Sequence, residues 1–481
     1  MKEKYKTTIG LEIHAELKTK TKMFCGCKND PDEIRPNVNI CPVCMAHPGT
    51  LPVANKRAIE NVIKVGLALG GKIADFSEFD RKNYFYPDIP KGYQISQYKH
   101  PIVSGGNLKG VAITRVHLEE DTAASKHLPA QVGDRGEYSL IDFNRAGVPL
   151  MELVTEPVIH SAEEAGNFAR ELQLLFKYLD VSEANMEKGE MRVEANISVS
   201  ANPEKFGTKV EVKNLNSFRS VEKAIKYEVE RMTDLLENGR GDEIIQETRG
   251  WDENKQKTFS QRSKESSHDY RYFPEPDLPK MYLHKAFNID EMKKGLPELP
   301  REKRERFKKD FGIKDEDIES YINDAALSLW FENVVKKLGG EKELIKIASN
   351  YITNDMIGFL ETVMVAGTAK YPTPENFAKL IFMNFNKEIN SAVTKKLLGN
   401  LVIFDEDPEK LAREEGLLQE KDESKLKEII EKIIKDNPKT AEDYKKGKEA
   451  SLQFLVGQVM RETKGSANPQ IVNELFKEIL K

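Results

Sequence analysis

Four cysteines in 481 residues are too few for a disulfide framework. No window approaches the roughly 20 consecutive apolar residues that a membrane-spanning helix needs. The first residues, MKEKYKTTIGLEIH, carry charges where a signal peptide has its apolar centre. The expectation is a cytoplasmic protein without membrane contact. An excess of charge of either sign is also missing. With 74 Lys and Arg against 79 Asp and Glu, the net of -5 excludes a broad electrostatic grip on nucleic acid and leaves only local contacts. Neither G-x-x-x-x-G-K-[ST] nor G-x-G-x-x-G occurs, so the two common phosphate-binding loops are excluded, and no Ser or Cys nucleophile comes with a recognisable partner set.

What is present is enough apolar content, 39%, for about three domains. Up to about residue 290 the chain reads as strands and long loops with a few helices. Leu11, Ile13, Ala15 and Leu17 alternate with Glu12, His14 and Glu16. Met191, Val193, Ala195, Ile197 and Val199 alternate with Arg192, Glu194, Asn196 and Ser198, and Val210 and Val212 with Lys209, Glu211 and Lys213. Such half-polar strands predict an antiparallel sheet with one face on a core and one open. Apolar spacing predicts helices over Ser161 to Tyr178 and Ser220 to Leu236. Beyond Ile289 to Gly295 and the run ELPREKRERFKK, helix-length segments take over, and FDEDP at 404–408 marks a second shift. Leu426, Ile429, Ile430, Ile433 and Ile434 then form one stripe, and Leu452, Leu455, Val456, Val459 and Met460 another, with Gly465 as its cap and Asn468 and Pro469 opening the last helix. The predicted organisation is α+β, with a sheet-rich domain over 1–292, a helical domain over 293–407 and a small helical tail over 408–481.

Several constellations carry chemistry. Cys25 and Cys27, then Cys41 and Cys44, offer four soft ligands from two short knuckles at 25–44, the donor set of a structural zinc site with no open position. Glu12 and His14, then Glu119, Glu120 and Asp121 in HLEED, and Glu152 in PLMEL are oxygen donors with one imidazole, which suits Mg²⁺ or Mn²⁺. Solvated charges on the wet face of a sheet are the alternative at this point. In RKNYFYPDIPKGYQISQY, 81–98, basic residues interleave with aromatic ones, a pattern that stacks a base or packs an ordered loop. The segment TFSQRSKESSHDYRYFPEPDLP is too Pro-rich for a helix and reads as an ordered functional loop.

Taken in order, GLEIHAEL, RKNYFYPDIPKGYQISQ, HLEED, IDFNRAGVPLMEL, MRVEANIS, VEVKNLNSFRSVEKAI, DYRYFPEPDLP and TKGSANP resemble the B-subunit family of aspartyl/glutamyl-tRNA amidotransferases across essentially the whole chain. The resemblance implies a cradle domain like the core of glutamine synthetase, a helical domain and a YqeY-like tail that binds tRNA. It implies ATP-dependent phosphorylation of the side-chain carboxylate of Glu on tRNA(Gln) or Asp on tRNA(Asn). Ammonia then arrives by a tunnel from a glutaminase A subunit, and a small C subunit straps A to B. By that resemblance Glu12, His14, Glu120 and Glu152 hold Mg²⁺, while the four cysteines match the zinc-bearing members. Charge placement adds Arg81, Lys82, Arg192 and Lys213 as groups to neutralise ATP or the tRNA 3′ end. It also adds Lys445 to Lys448 and Arg461 to Lys464 as basic points for tRNA. The connector TAASKHLPAQVGDR, 122–135, is longer than the family's usual one. The competing reading is a tRNA-binding scaffold without chemistry of its own.

Overall fold

The computed structural model describes residues 4–128, 138–263, 270–364, 370–419, 423–463 and 467–480. Pro129 to Arg135 of the long connector, and Lys464 and Gly465 near the end, lie outside the described residues. The chain forms two compact units, Met1–Leu299 and Pro300–Lys481. The division falls after Leu299 because Ile289, Met292, Leu296 and Leu299 pack their apolar sides against the core of the first unit.

The first unit is built on a ten-stranded sheet. Its main strands are β1 (Lys6–Glu16), β2 (Val111–Glu120), β3 (Pro149–Thr155), β4 (Met191–Ser200), β5 (Val210–Leu215), β6 (Glu247–Asp252) and β7 (Lys257–Ser263). They lie side by side as β7-β6-β5-β4-β1-β3-β2, followed by the short strands Val103–Ser104 and Lys72–Ile73. The two-residue period works as expected: Ile9, Leu11, Ile13 and Ala15 of β1 and Val193, Ala195 and Ile197 of β4 are buried, while Glu12, His14, Arg192 and Glu194 line the other face. Each Ile, Leu or Val so buried stabilises the fold by roughly 1.5–3 kcal/mol.

The sheet is not wholly antiparallel. β5 and β6 pair in parallel, Glu211 with Thr248 and Lys213 with Gly250, because the helix Phe218–Glu237 intervenes and returns the chain to the same end. Helices α1 (Ala162–Tyr178) and α2 (Phe218–Glu237) cover the apolar face of the sheet with Phe168, Leu172, Phe176, Val221, Ala224 and Ile225. Ser217 and Ser161 cap them by accepting from the backbone N–H of Ser220 and Glu164. A three-stranded sheet of Asp80–Asn83, Tyr93–Ser96 and Phe273–Pro274 joins the two aromatic segments of the sequence.

Described residues of the second unit are helical. Leu426, Ile430, Ile433, Leu455, Val459, Val472 and Phe476 form an apolar core of their own. The N-cap Asn468 accepts from the Gln470 N–H, with Pro469 in the first helical position. Among the described residues no helix is long and apolar enough to cross a membrane.

Candidate active site

Register assembles the site on the polar face of the sheet centre. His14 of β1 stands between Glu152 of β3 and Arg192 of β4, Glu12 stands beside Glu194, and Glu152 stands beside His117 of β2. His117 and Glu119 share this face because Val116 and Leu118, which alternate with them, go to the core at 0% exposure.

Two groups of ligand atoms result. One atom each from His14, Glu119 and Glu152 lie within 4.8 Å of one another, and so do one each from Glu12, Glu194 and Glu211. His14 Nε2 is 3.3 Å from Glu152 Oε2 and 3.8 Å from Glu119 Oε1. His117 Nε2 is 3.3 Å from Glu152 Oε2, and Ser96 Oγ donates to Glu119 Oε2 at 3.0 Å. In the second group Asn196 Nδ2 donates to Glu12 Oε1 at 2.8 Å, Lys213 Nζ is 2.8 Å from Glu194, and Thr248 Oγ1 donates to Glu211 at 2.7 Å.

The electrostatics follow from crowding acids in a half-dry place. Burial, then the charges of Glu152 and Glu194, raises the Glu12 carboxyl above its usual range. Glu152 is held well below its own: burial opposes this, but His117 and His14 outweigh it. Burial works against protonation of His14, yet Glu152 and Glu119 push it up to about 9. Arg115 Nε, His117 Nδ1 and Asn196 Oδ1 are buried here without a hydrogen-bond partner. Hard oxygen donors, one imidazole and orphaned polar atoms fit hydrated divalent ions, which complete their coordination with water and phosphate.

The expected set is therefore divided. His14 and Glu152 come together, and Glu12 joins Glu194 and Glu211 next to them. Glu120 does not join either group. Its carboxylate lies 2.5 Å from Lys91 Nζ and accepts from the Ile95 N–H, because neighbouring residues of a strand point to opposite sides. Glu119 takes the place expected of Glu120. Sequence reasoning also missed His117, Glu194 and Glu211 as site residues, although the alternation in RVHLEE and MRVEANIS already put the first two on the polar face.

The four expected cations have different surroundings. Arg81 is held by Glu275 at 2.7 Å and by Asp277 at 3.1 Å, over the ring of Tyr93, and so anchors the 273–277 segment. Lys82 is half-buried beside Tyr270, and Glu119 and Glu152 hold its ammonium above the usual lysine range against the effect of burial. Lys213 serves the second acidic group, and Arg192 pairs with Asp121 at 3.0 Å.

Sulfur atoms of Cys25, Cys27, Cys41 and Cys44 also lie within 4.8 Å of one another. Those of Cys41 and Cys44 are 3.9 Å apart, near the roughly 3.8 Å edge of a tetrahedron with Zn–S of about 2.3 Å. A hydrogen bond with Cys25, against burial, and the Cys41 N–H with Lys22 hold the Cys44 thiol down to about 5. Lys22 is wholly buried and donates to the Phe143 carbonyl at 3.1 Å, a countercharge next to thiolates. The knuckle meets the segment IDFNRAGVPLMEL at Gly147, whose φ of +84° favours glycine. The donor set fits a closed zinc site.

Residues 7–288 match the family model of the GatB/GatE catalytic domain, and residues 329–480 match the GatB domain. The B subunit of the aspartyl/glutamyl-tRNA(Asn/Gln) amidotransferase of Thermotoga maritima is 44% identical over 99% of each chain. Its counterpart in Thermodesulfovibrio yellowstonii is also 44% identical over 99% of each. That of Persephonella marina is 42% identical over 99% of this chain and 100% of the relative. The chain belongs to the B-subunit family of aspartyl/glutamyl-tRNA amidotransferases.

Proposed function

We propose that this chain activates the side-chain carboxylate of Glu on tRNA(Gln), or of Asp on tRNA(Asn), by ATP-dependent phosphorylation and hands it to ammonia. The observation that carries this reading is the pair of adjacent three-donor groups, His14–Glu119–Glu152 and Glu12–Glu194–Glu211, on the polar face of one sheet. A scaffold that only binds tRNA has no need to gather five carboxylates and a histidine at the cost of their mutual repulsion.

A free carboxylate forms only a salt with ammonia. In the proposed reaction its oxygen attacks the terminal phosphorus of ATP and ADP leaves. Ammonia then adds to the acyl carbon, phosphate departs with its electron pair, and the amide nitrogen loses a proton. Such chemistry asks for in-line placement and charge neutralisation and uses no covalent nucleophile, in keeping with the sequence. The two groups would hold Mg²⁺, which when bound neutralises the phosphates. His117 and Ser96 fix the orientation of Glu152 and Glu119. Lys82 and Lys213 each add a positive charge at the rim of one group.

The first unit resembles the cradle of glutamine synthetase, and the four cysteines hold a structural zinc. The helical part divides at 407/408 and the tail beyond it binds tRNA; the separate apolar core of the tail begins at Leu426, whereas the helix Pro408–Glu414 packs on Pro374–Phe385 and Ser391–Phe404. Ammonia comes from a glutaminase A subunit within a complex that a C subunit completes, in the cytoplasm.

The test is ammonia-dependent amidation of Glu-tRNA(Gln) by the complete complex, wild type against Glu152→Ala. We expect the variant to bind tRNA and fail to amidate. Equal amidation by both would leave the scaffold reading in its place.

A further inference from the structure

Two aromatic segments about 170 residues apart in the chain meet beside the acidic groups. The rings of Tyr98 and Tyr272 stack in parallel, with centroids 4.4 Å apart and planes 10° from each other. Tyr270 stands edge-on to Tyr272 at 6.1 Å and to Tyr84 at 5.9 Å, with Lys82 Nζ 5.1 Å from its centroid. The stack is fixed from both sides. The Asn83 N–H donates to the Tyr270 carbonyl at 2.9 Å, Phe273 pairs with Arg81, and the Tyr98 N–H donates to Asp80 at 2.9 Å.

Tyr98 has one face against Tyr272 and is still 59% exposed, so its other face is open. It lies close to the chemistry: Ser96, two residues and therefore at most about 7 Å of chain away, donates to Glu119. A ring pair that served only packing would sink into the core. This one holds an aromatic face outward next to a lysine, as surfaces that stack unpaired bases do. Exposed rings are also more numerous here than one nucleotide needs. Phe85 is 84%, Tyr86 67% and Phe273 43% exposed, on the same small sheet or in the loop between its first two strands.

We propose that Tyr98, backed by Tyr272, is the stacking platform for the single-stranded 3′ end of the aminoacylated tRNA, holding its last base so that the esterified side chain reaches the His14–Glu119–Glu152 group. The inference rests on the proposed reaction for its substrate. Tyr98 acts in it as a positioning residue that touches the tRNA and not the reacting atoms.

The experiment uses the complete amidotransferase with wild-type chain, Tyr98→Ala or Tyr98→Phe. Direct binding is measured to full-length tRNA and to the same tRNA without its 3′-terminal nucleotide, together with KM for aminoacyl-tRNA and for ATP. Tyr98→Ala is expected to weaken full-length tRNA by about five- to a hundredfold. It should bind the shortened tRNA as well as wild type does and leave KM for ATP unchanged. Tyr98→Phe, which keeps the ring, should stay close to wild type. Tyr98→Leu, similar in bulk but without a π face, replaces the alanine variant if that one fails to fold. Equal binding of full-length tRNA by wild type and Tyr98→Ala overturns the platform, and so does a rise confined to KM for ATP, which would assign the ring to the nucleotide. The binding comparison involves no chemistry, so it stands or falls separately from the phosphorylation reading.

Discussion

His14 Nε2 lies 3.3 Å from Glu152 Oε2 across the antiparallel pair of β1 and β3, in which the two residues are direct partners. Register alone makes this contact. A slip of β1 by one residue would turn His14 into the apolar layer and bring Ile13 to the surface, and the same slip of β3 would do so for Glu152 and Leu153. The core that holds Ile13 and Leu153 at 1% and 0% exposure is thus what fixes the site's geometry.

The two glutamates of HLEED should separate by phenotype. Glu119→Gln removes a donor from the His14 group and should raise the Mg²⁺ needed for half-maximal amidation at least about tenfold. Glu120→Gln leaves that requirement unchanged and strands Lys91, whose side chain is 13% exposed. Its expected cost is in stability, on the order of 3 kcal/mol. Mg²⁺ titrations of activity and urea unfolding of both variants check the pair.

His117 touches Glu152 from the neighbouring strand. His117→Ala should weaken Mg²⁺ activation by about ten- to a hundredfold, and His117→Gln, whose amide can reach the same oxygen, should recover part of the loss. If both variants unfold more easily but titrate with Mg²⁺ as wild type does, His117 only packs.

For the cysteine knuckle we expect one zinc per chain by elemental analysis, lost in Cys44→Ala. Losing the metal leaves Lys22 buried beside fewer thiolates, so a lower melting temperature should accompany the loss. A chain that carries no zinc and melts like the Cys44→Ala variant would refute the assignment.

Glu16 gives a pH signature. Burial and then the charge of Asp121 push its carboxyl up to about 8, against an ordinary value of 4.5. Between those values the folded chain keeps a proton that the unfolded chain has released, so the contribution of Glu16 to stability falls as pH rises through that window. Glu16→Gln lacks this slope. Its urea midpoint relative to wild type should therefore climb from about pH 5 to about pH 8, and a constant difference would disprove the shift.

Much of this was legible in the sequence, for a physical reason. A two-residue period with one side apolar leaves a strand a single way to face, so Glu12, His14 and Glu194 could be put on the polar face from residues alone. The gathering of the four cysteines was legible because four thiols at that spacing serve few other ends. What sequence could not give was strand order: that β3 lies between β1 and β2, and so brings His117 and Glu119 to Glu152, is a long-range fact. Glu120 was misplaced for a local reason, since the alternation that excludes it was there to be applied. The parallel pairing of β5 with β6 and the meeting of Tyr98 with Tyr272 were hidden in the same way by distance along the chain.

The most direct measurement is hydroxylamine capture of the activated carboxylate, with the complete complex given Glu-tRNA(Gln) and ATP but no ammonia. Wild type should form tRNA-bound glutamyl hydroxamate in step with ADP release, and Glu152→Gln should form none while still binding the tRNA. Hydroxamate formed at the wild-type rate by Glu152→Gln would contradict the claim that this sheet face is where the carboxylate is phosphorylated.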